Sequence, residues 1–175
     1  MHSNRTKTLL AVLTLVAIGL PLAAQRGDDS DRASKNGHTE GEIAGVSIAI
    51  DYGRPNVKGR EIWGDLVPFG QVWRTGANEA TTIEFSADIM IGGESLPAGK
   101  YGLFTIPGES EWTVIFNKVP EQWGAFNYDD NEDALRVTVA PGECEHVESM
   151  DFVIDGSAVT VRWAETAVSF EVSSG

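Results

Sequence analysis

Val46-Ser47-Ile48-Ala49-Ile50-Asp51-Tyr52 places apolar side chains at 46, 48, 50 and 52 and small, polar or charged ones between them. Side chains of an extended chain point alternately to opposite sides, so this run reads as a strand with one buried face. The same period of two recurs down the chain. Ile83 and Phe85 alternate with Thr82 and Glu84, and Trp112, Val114 and Phe116 share a face. Leu135-Val137-Val139, Met150-Phe152-Ile154, Val159-Val161-Trp163 and Val168-Phe170-Val172 repeat the pattern. Gly92-Gly93, Pro97-Ala98-Gly99, Pro107-Gly108-Glu109-Ser110 and Asp155-Gly156-Ser157 supply turns between the runs. Short one-sided strands joined by tight turns predict an all-β fold, an antiparallel β-sandwich or a related barrel. Val46, Ile48, Ile50, Ile83, Phe85, Val114, Phe116, Val137, Phe152, Val161 and Phe170 are its expected core. No stretch keeps a helical period over three turns; one short helical turn is expected at Glu61–Leu66.

The N-terminus reads differently. Arg5 and Lys7 precede the apolar stretch Leu9–Leu20, and Pro21-Leu22-Ala23-Ala24 follows it. A basic start, a short apolar run and small residues are the pattern of a secretory signal peptide, expected here as residues 1–24 with cleavage after Ala24. The chain is then exported, to the periplasm or beyond, with no membrane insertion of its mature part. Residues 25–43 are polar and charged and are expected as a flexible linker, and residues 44–175 as one β-sandwich domain. The net charge is −13; without Met1–Ala24, 11 basic residues face 26 acidic ones, a net −15. Such a surface repels phosphate backbones, which excludes nucleic-acid binding as the expected role.

One segment departs from the regular pattern. Residues 53–80 form a long irregular loop between two strands, and connections of that length are commonly functional or build their own substructure. Four of the 11 basic residues outside the leader lie in it: Arg54, Lys58, Arg60 and Arg74. Trp63, Trp73, Asn78 and Glu79 accompany them. The run Trp73-Arg74-Thr75-Gly76-Ala77-Asn78-Glu79-Ala80-Thr81, with Asp51–Arg60, Leu96–Tyr101 and Ile115–Tyr128, resembles an uncharacterised bacterial family, domain of unknown function 2911. That resemblance implies an exported β-rich domain and brings no reaction and no catalytic residue.

Catalytic and metal motifs are sparse. Of three histidines, His2 lies in the leader and His38 in the expected linker, leaving His146 for the domain. Zinc and copper sites need more such ligands, so no metal and no cofactor are expected. Asp129-Asp130-Asn131-Glu132-Asp133 has the first spacings of a calcium loop, but Ala134 and Ala140 stand where Gly and an acid are needed. Cys144 sits between Glu143 and Glu145, which oppose thiolate formation. No nucleophile-elbow or phosphate-loop motif occurs.

Two readings of the loop remain open. In one, Arg54, Lys58, Arg60, Trp73, Arg74, Asn78 and Glu79, with Trp123, recognise a small polar or anionic ligand, through arginine forks and a flat aromatic face. Arg54, Arg74, Asn78 and Glu79 then converge on one site. In the other, Arg74 and Glu79 form a structural ion pair, Asn78 caps a turn and the tryptophans plug the core. For the whole protein, non-catalytic binding of such a ligand or of an envelope component is the leading expectation. A carboxylate-dependent hydrolase of envelope or extracellular polymer and a structural envelope protein are the alternatives.

Overall fold

The alternating runs become ten strands in the computed structural model, which describes residues 26–175. They are β1 (Lys35–Ile43), β2 (Val46–Arg54), β3 (Thr81–Phe85), β4 (Ile89–Ile91) and β5 (Glu94–Leu96). Then come β6 (Gly99–Ile106), β7 (Trp112–Asn117), β8 (Asp133–Val139), β9 (Pro141–Asp155) and β10 (Ala158–Ser174). One sheet has six strands in the order β1-β2-β3-β6-β7-β8, the other four in the order β5-β4-β10-β9. All pairings are antiparallel, and the sheets pack face to face as a sandwich without closing into a barrel. The expected signal peptide, residues 1–24, lies outside the described residues.

All eleven expected core side chains are buried. At one end of the core Trp63, Trp73, Trp112 and Trp163 form an aromatic cluster. Trp73 stacks on Trp163 with centroids 5.9 Å apart, and Trp63 meets Trp112 edge-on at 4.8 Å. Aromatic pairs contribute about 0.5–1.5 kcal/mol each beyond their area.

Three expectations need correction. Residues 25–43 are not all linker: 35–43 form β1, paired with β2 along its whole length. The inward positions of β1 are nearly free of apolar residues because neighbours fill the space. A Cβ on Gly37 would lie 2.6 Å from the Tyr52 ring, and one on Gly41 2.9 Å from Ile154. The domain therefore begins before residue 44. The expected helical turn at Glu61–Leu66 is absent; the Val67 N–H donates to the Ile62 carbonyl at 2.8 Å, closing a wider loop. Val159–Trp163 and Val168–Val172 are not separate strands but parts of β10. A bulge opposite β9 lies between them, where Ala164 adopts φ 54°. β9 carries two extra residues on each side of Ala164, and the alternation of β10 shifts there, which interrupts the sequence pattern without ending the strand.

Candidate functional site

The run Trp73–Thr81 is built as a turn docked onto the six-stranded sheet. Trp73 exchanges two backbone hydrogen bonds with Thr105 of β6, at 2.7 and 2.9 Å, and sends its ring into the core. Thr75 is fully buried with φ 49°; its Oγ1 lies 3.1 Å from Thr105 Oγ1, and its carbonyl accepts from Thr81 Oγ1 at 2.7 Å. The Ala77 N–H donates to the Gly53 carbonyl at 3.2 Å. Gly53 permits that approach, since a Cβ there would lie 2.1 Å from the Ala77 oxygen. Asn78, at φ 64°, donates from Nδ2 to the Ser34 carbonyl at 3.1 Å. The chain then pairs with the loop after β7: Gly124 N–H donates to Asn78 O at 3.1 Å and Ala80 N–H to Gln122 O at 2.9 Å. Glu79 is thereby fixed beside Trp123 on the outer face of the sheet.

Glu79 is the electrostatic centre of this region. Arg32 forks onto its two carboxylate oxygens at 2.7 and 2.8 Å, and Arg26 approaches at 3.4 Å. The hydrogen bond from Arg32 above all, with the charges of Arg32 and Arg26, holds the Glu79 carboxyl below its usual range. Burial pushes the Arg26 guanidinium down, while Glu79 and Asp51 push it back up. The Arg32 guanidinium lies 5.8 Å from the Trp123 ring centroid, within cation–π range.

Beside Glu79 opens a cleft of about 260 Å³ whose walls include Arg26, Asp51, Glu79, Thr82, Lys100 and Gln122. Asp51 and Thr82 are cross-strand partners on β2 and β3, at outward positions of the alternation. Asp51 lies 2.8 Å from His38 Nδ1, which raises the histidine's pKa, with Glu40 adding to the effect. Lys100 has an ion-pair contact with Glu121 at 3.9 Å. Gln122 donates from Nε2 to the Val119 carbonyl at 2.8 Å, while its buried Oε1 has no partner among the described residues.

The eight expected site residues do not meet. Glu79, Asn78 and Trp123 are together. Arg54 donates from Nε to the Met150 carbonyl of β9 at 3.1 Å, toward the other sheet. Arg60 folds back onto its own loop, bonding the Val57 and Asn56 carbonyls, and Lys58 uses its N–H to bond Glu148. Trp73 is a core residue. Arg74 follows it in an extended segment and so faces the outer side, away from Arg54; its buried Nε has no partner among the described residues. The convergence of Arg54, Arg74, Asn78 and Glu79 is thus not formed, because two of these side chains leave on opposite faces of the sheet. The expected Arg74–Glu79 pair is also not formed, since Arg26 and Arg32 take the carboxylate. Those two arginines were missed because they lie in the polar segment read as linker. Two arginines six residues apart in that acidic stretch were the available signal.

The acidic turn at 129–133 serves structure. Asn117, fully buried, donates from Nδ2 to the Asp129 carbonyl and to Asp133 Oδ1, at 2.9 and 2.8 Å. Asp133 also accepts from Tyr128 and Arg136, which anchors the loop carrying Gln122 and Trp123.

Comparison with known proteins adds one match. A family model described as "Protein of unknown function (DUF2911)" matches residues 34–172, starting one residue before β1. No curated protein and no solved structure matches the chain.

Proposed function

This chain belongs to the DUF2911 family of proteins of unknown function, and from the cleft beside Glu79 we propose that it is an exported, non-catalytic binding domain for a small polar or anionic ligand. One observation carries this reading: Gln122, in the cleft wall, keeps a buried carbonyl oxygen without a partner among the described residues. An unmet buried acceptor costs about 1–3 kcal/mol, which a turn of the Gln122 side chain toward a ligand hydroxyl, amide or amine would recover. The cleft volume, about 260 Å³, lies just below the usual ligand-pocket range and suits a sugar- or amino-acid-sized molecule. Lys100 supplies a cation for a carboxylate. Arg32 occupies both carboxylate oxygens of Glu79, which leaves neither free as a base or nucleophile and favours binding over carboxylate hydrolysis. Export rests on the leader pattern of Arg5, Lys7, Leu9–Leu20 and Ala23-Ala24.

The loop bearing Gln122 also exposes Trp123 and Phe126, at 56% and 83%. That apolar rim supports a second reading, docking of an envelope component larger than the cleft. Thermal-shift screening of the mature protein against sugars, amino acids, short peptides and organic acids tests the first reading. A stabilising hit lost in Gln122→Ala is expected; a hit that survives both Gln122→Ala and Lys100→Ala contradicts it. Loss of binding to isolated envelope material in Trp123→Ala, with no small-molecule hit, would favour the second.

A further inference from the structure

Arg26 has only 8% of its side chain exposed, and its hydrogen bonds run to acceptors alone. Nη2 donates to the carbonyls of Ala80 at 2.6 Å, Asp51 at 3.0 Å and Glu79 at 3.4 Å; Nη1 donates to Glu79 Oε2 at 3.4 Å. Three main-chain carbonyls and a carboxylate around one group form a seat for a cation that spreads several donors over a plane. A guanidinium has five such N–H donors, whereas an ammonium has three on a single atom. Arg32 occupies a second seat of the same chemistry, the fork on Glu79 and the face of Trp123. Both seats are filled from one short arm ahead of β1. Beyond β1 that arm is held to the domain by the hydrogen bonds of Arg26 and Arg32 and one from Asn78 to Ser34. The acceptors belong to β2 and to the docked turn at 77–80, and the Trp123 face to the loop after β7; none of these depends on the arm for its backbone pairing.

We propose that the inner cleft and the Glu79–Trp123 face are a receptor for guanidinium groups, filled in the resting protein by Arg26 and Arg32, and that an arginine-bearing ligand binds there in place of the arm. This rests on the cleft being the binding site and narrows its ligand from the polar or anionic class to a polar one that carries a guanidinium, with Lys100 left for any carboxylate on the same molecule. A free guanidinium compound and an arginine side chain of a peptide present the same group. Two probes separate them: ethylguanidinium, and a synthetic peptide of residues 25–34 supplied in trans.

The test uses the mature chain with Arg26→Ala. Ethylguanidinium at millimolar concentration, far below its denaturing range, should raise the melting midpoint of the variant and leave the parent unchanged, because the parent's seat is full. Ethylammonium should raise neither. A peptide response larger than that of ethylguanidinium points to peptide ligands, and the reverse to free guanidinium compounds; either supports the receptor. No response of the variant to either guanidinium probe, or an equal response to ethylammonium, overturns it. Where Arg26→Ala does not fold unaided, the yield on refolding is the readout, with recovery expected in ethylguanidinium and not in ethylammonium. A polar ligand that stabilises the parent through Gln122, while Arg26→Ala ignores ethylguanidinium, would leave the binding function standing and remove the guanidinium receptor alone.

Discussion

Gly53→Ala is the sharpest single perturbation of the docked turn. A Cβ at this position would lie 2.1 Å from the Ala77 carbonyl oxygen, 2.8 Å from its carbon and 3.2 Å from its Cα. All three atoms are backbone, so no side chain can swing away. Ordinary contact needs about 3.5 Å or a little more. The turn would therefore have to retreat by more than an ångström, breaking the hydrogen bond from the Ala77 N–H to the Gly53 carbonyl. Overpacking costs about 1–3 kcal/mol, and the lost hydrogen bond about 0.5–1.5 kcal/mol. Reduced freedom of the unfolded chain offsets about 0.4–1 kcal/mol. Gly53 is not among the residues with positive φ, so the penalty is steric. The net expectation is a loss of about 1–3 kcal/mol in urea or thermal unfolding. Gly142→Ala on β9 is the control, because a Cβ there would meet only Ala167 O at 3.7 Å. Should the two variants agree within about 0.5 kcal/mol, the close approach of turn and strand is refuted.

Arg74→Met keeps most of the side-chain stem and deletes a buried donor without a partner among the described residues, so stability should hold within about 1 kcal/mol or rise. A loss of about 3 kcal/mol or more by denaturant unfolding would mean a buried ion pair that this structure does not contain. His38 has its pKa raised by Asp51 and then Glu40, so its charged form stabilises the fold. That stabilisation is complete below the ordinary histidine value of about 6.5 and is lost as pH rises through the higher folded value. His38→Asn should flatten this decline; an unchanged slope between the variant and the parent contradicts the pairing. For export, mass spectrometry of the native protein should give an N-terminus at or near Gln25, and an intact Met1 in the cytosol contradicts it.

The strands that could be read from the sequence are those with one face in the core. Ile48, Ile50, Ile83 and Phe85 alternate because the sheet's inner face is dry and its outer face polar. β1 was illegible for the complementary reason. Its inward face is Gly37, Thr39 and Gly41, with Ile43 alone apolar at its end, because Tyr52 and Ile154 already occupy that volume. Hydrophobic periodicity reports what a strand contributes to the core, and β1 contributes mainly room. The charge reversal in the loop pointed to the right neighbourhood but the wrong partners. Glu79 is the hub, yet its cations come from Arg26 and Arg32, about fifty residues away in sequence. Pattern alone could not say which of several arginines would meet one carboxylate. Trp73 and Trp123 look alike in sequence; the bridge to Thr105 buries the first, and pairing with Glu79 at the edge of the loop leaves the second in solvent.

The binding claim is tested most directly by backbone amide chemical-shift mapping of the mature protein, titrated with the strongest hit from the ligand screen. The largest perturbations should fall on Ala80, Thr82, Lys100, Gln122 and Trp123, which surround the cleft or adjoin it. Perturbations centred instead on the groove lined by Arg60, Trp63 and His146, with the cleft amides unmoved, would contradict the assignment of the site.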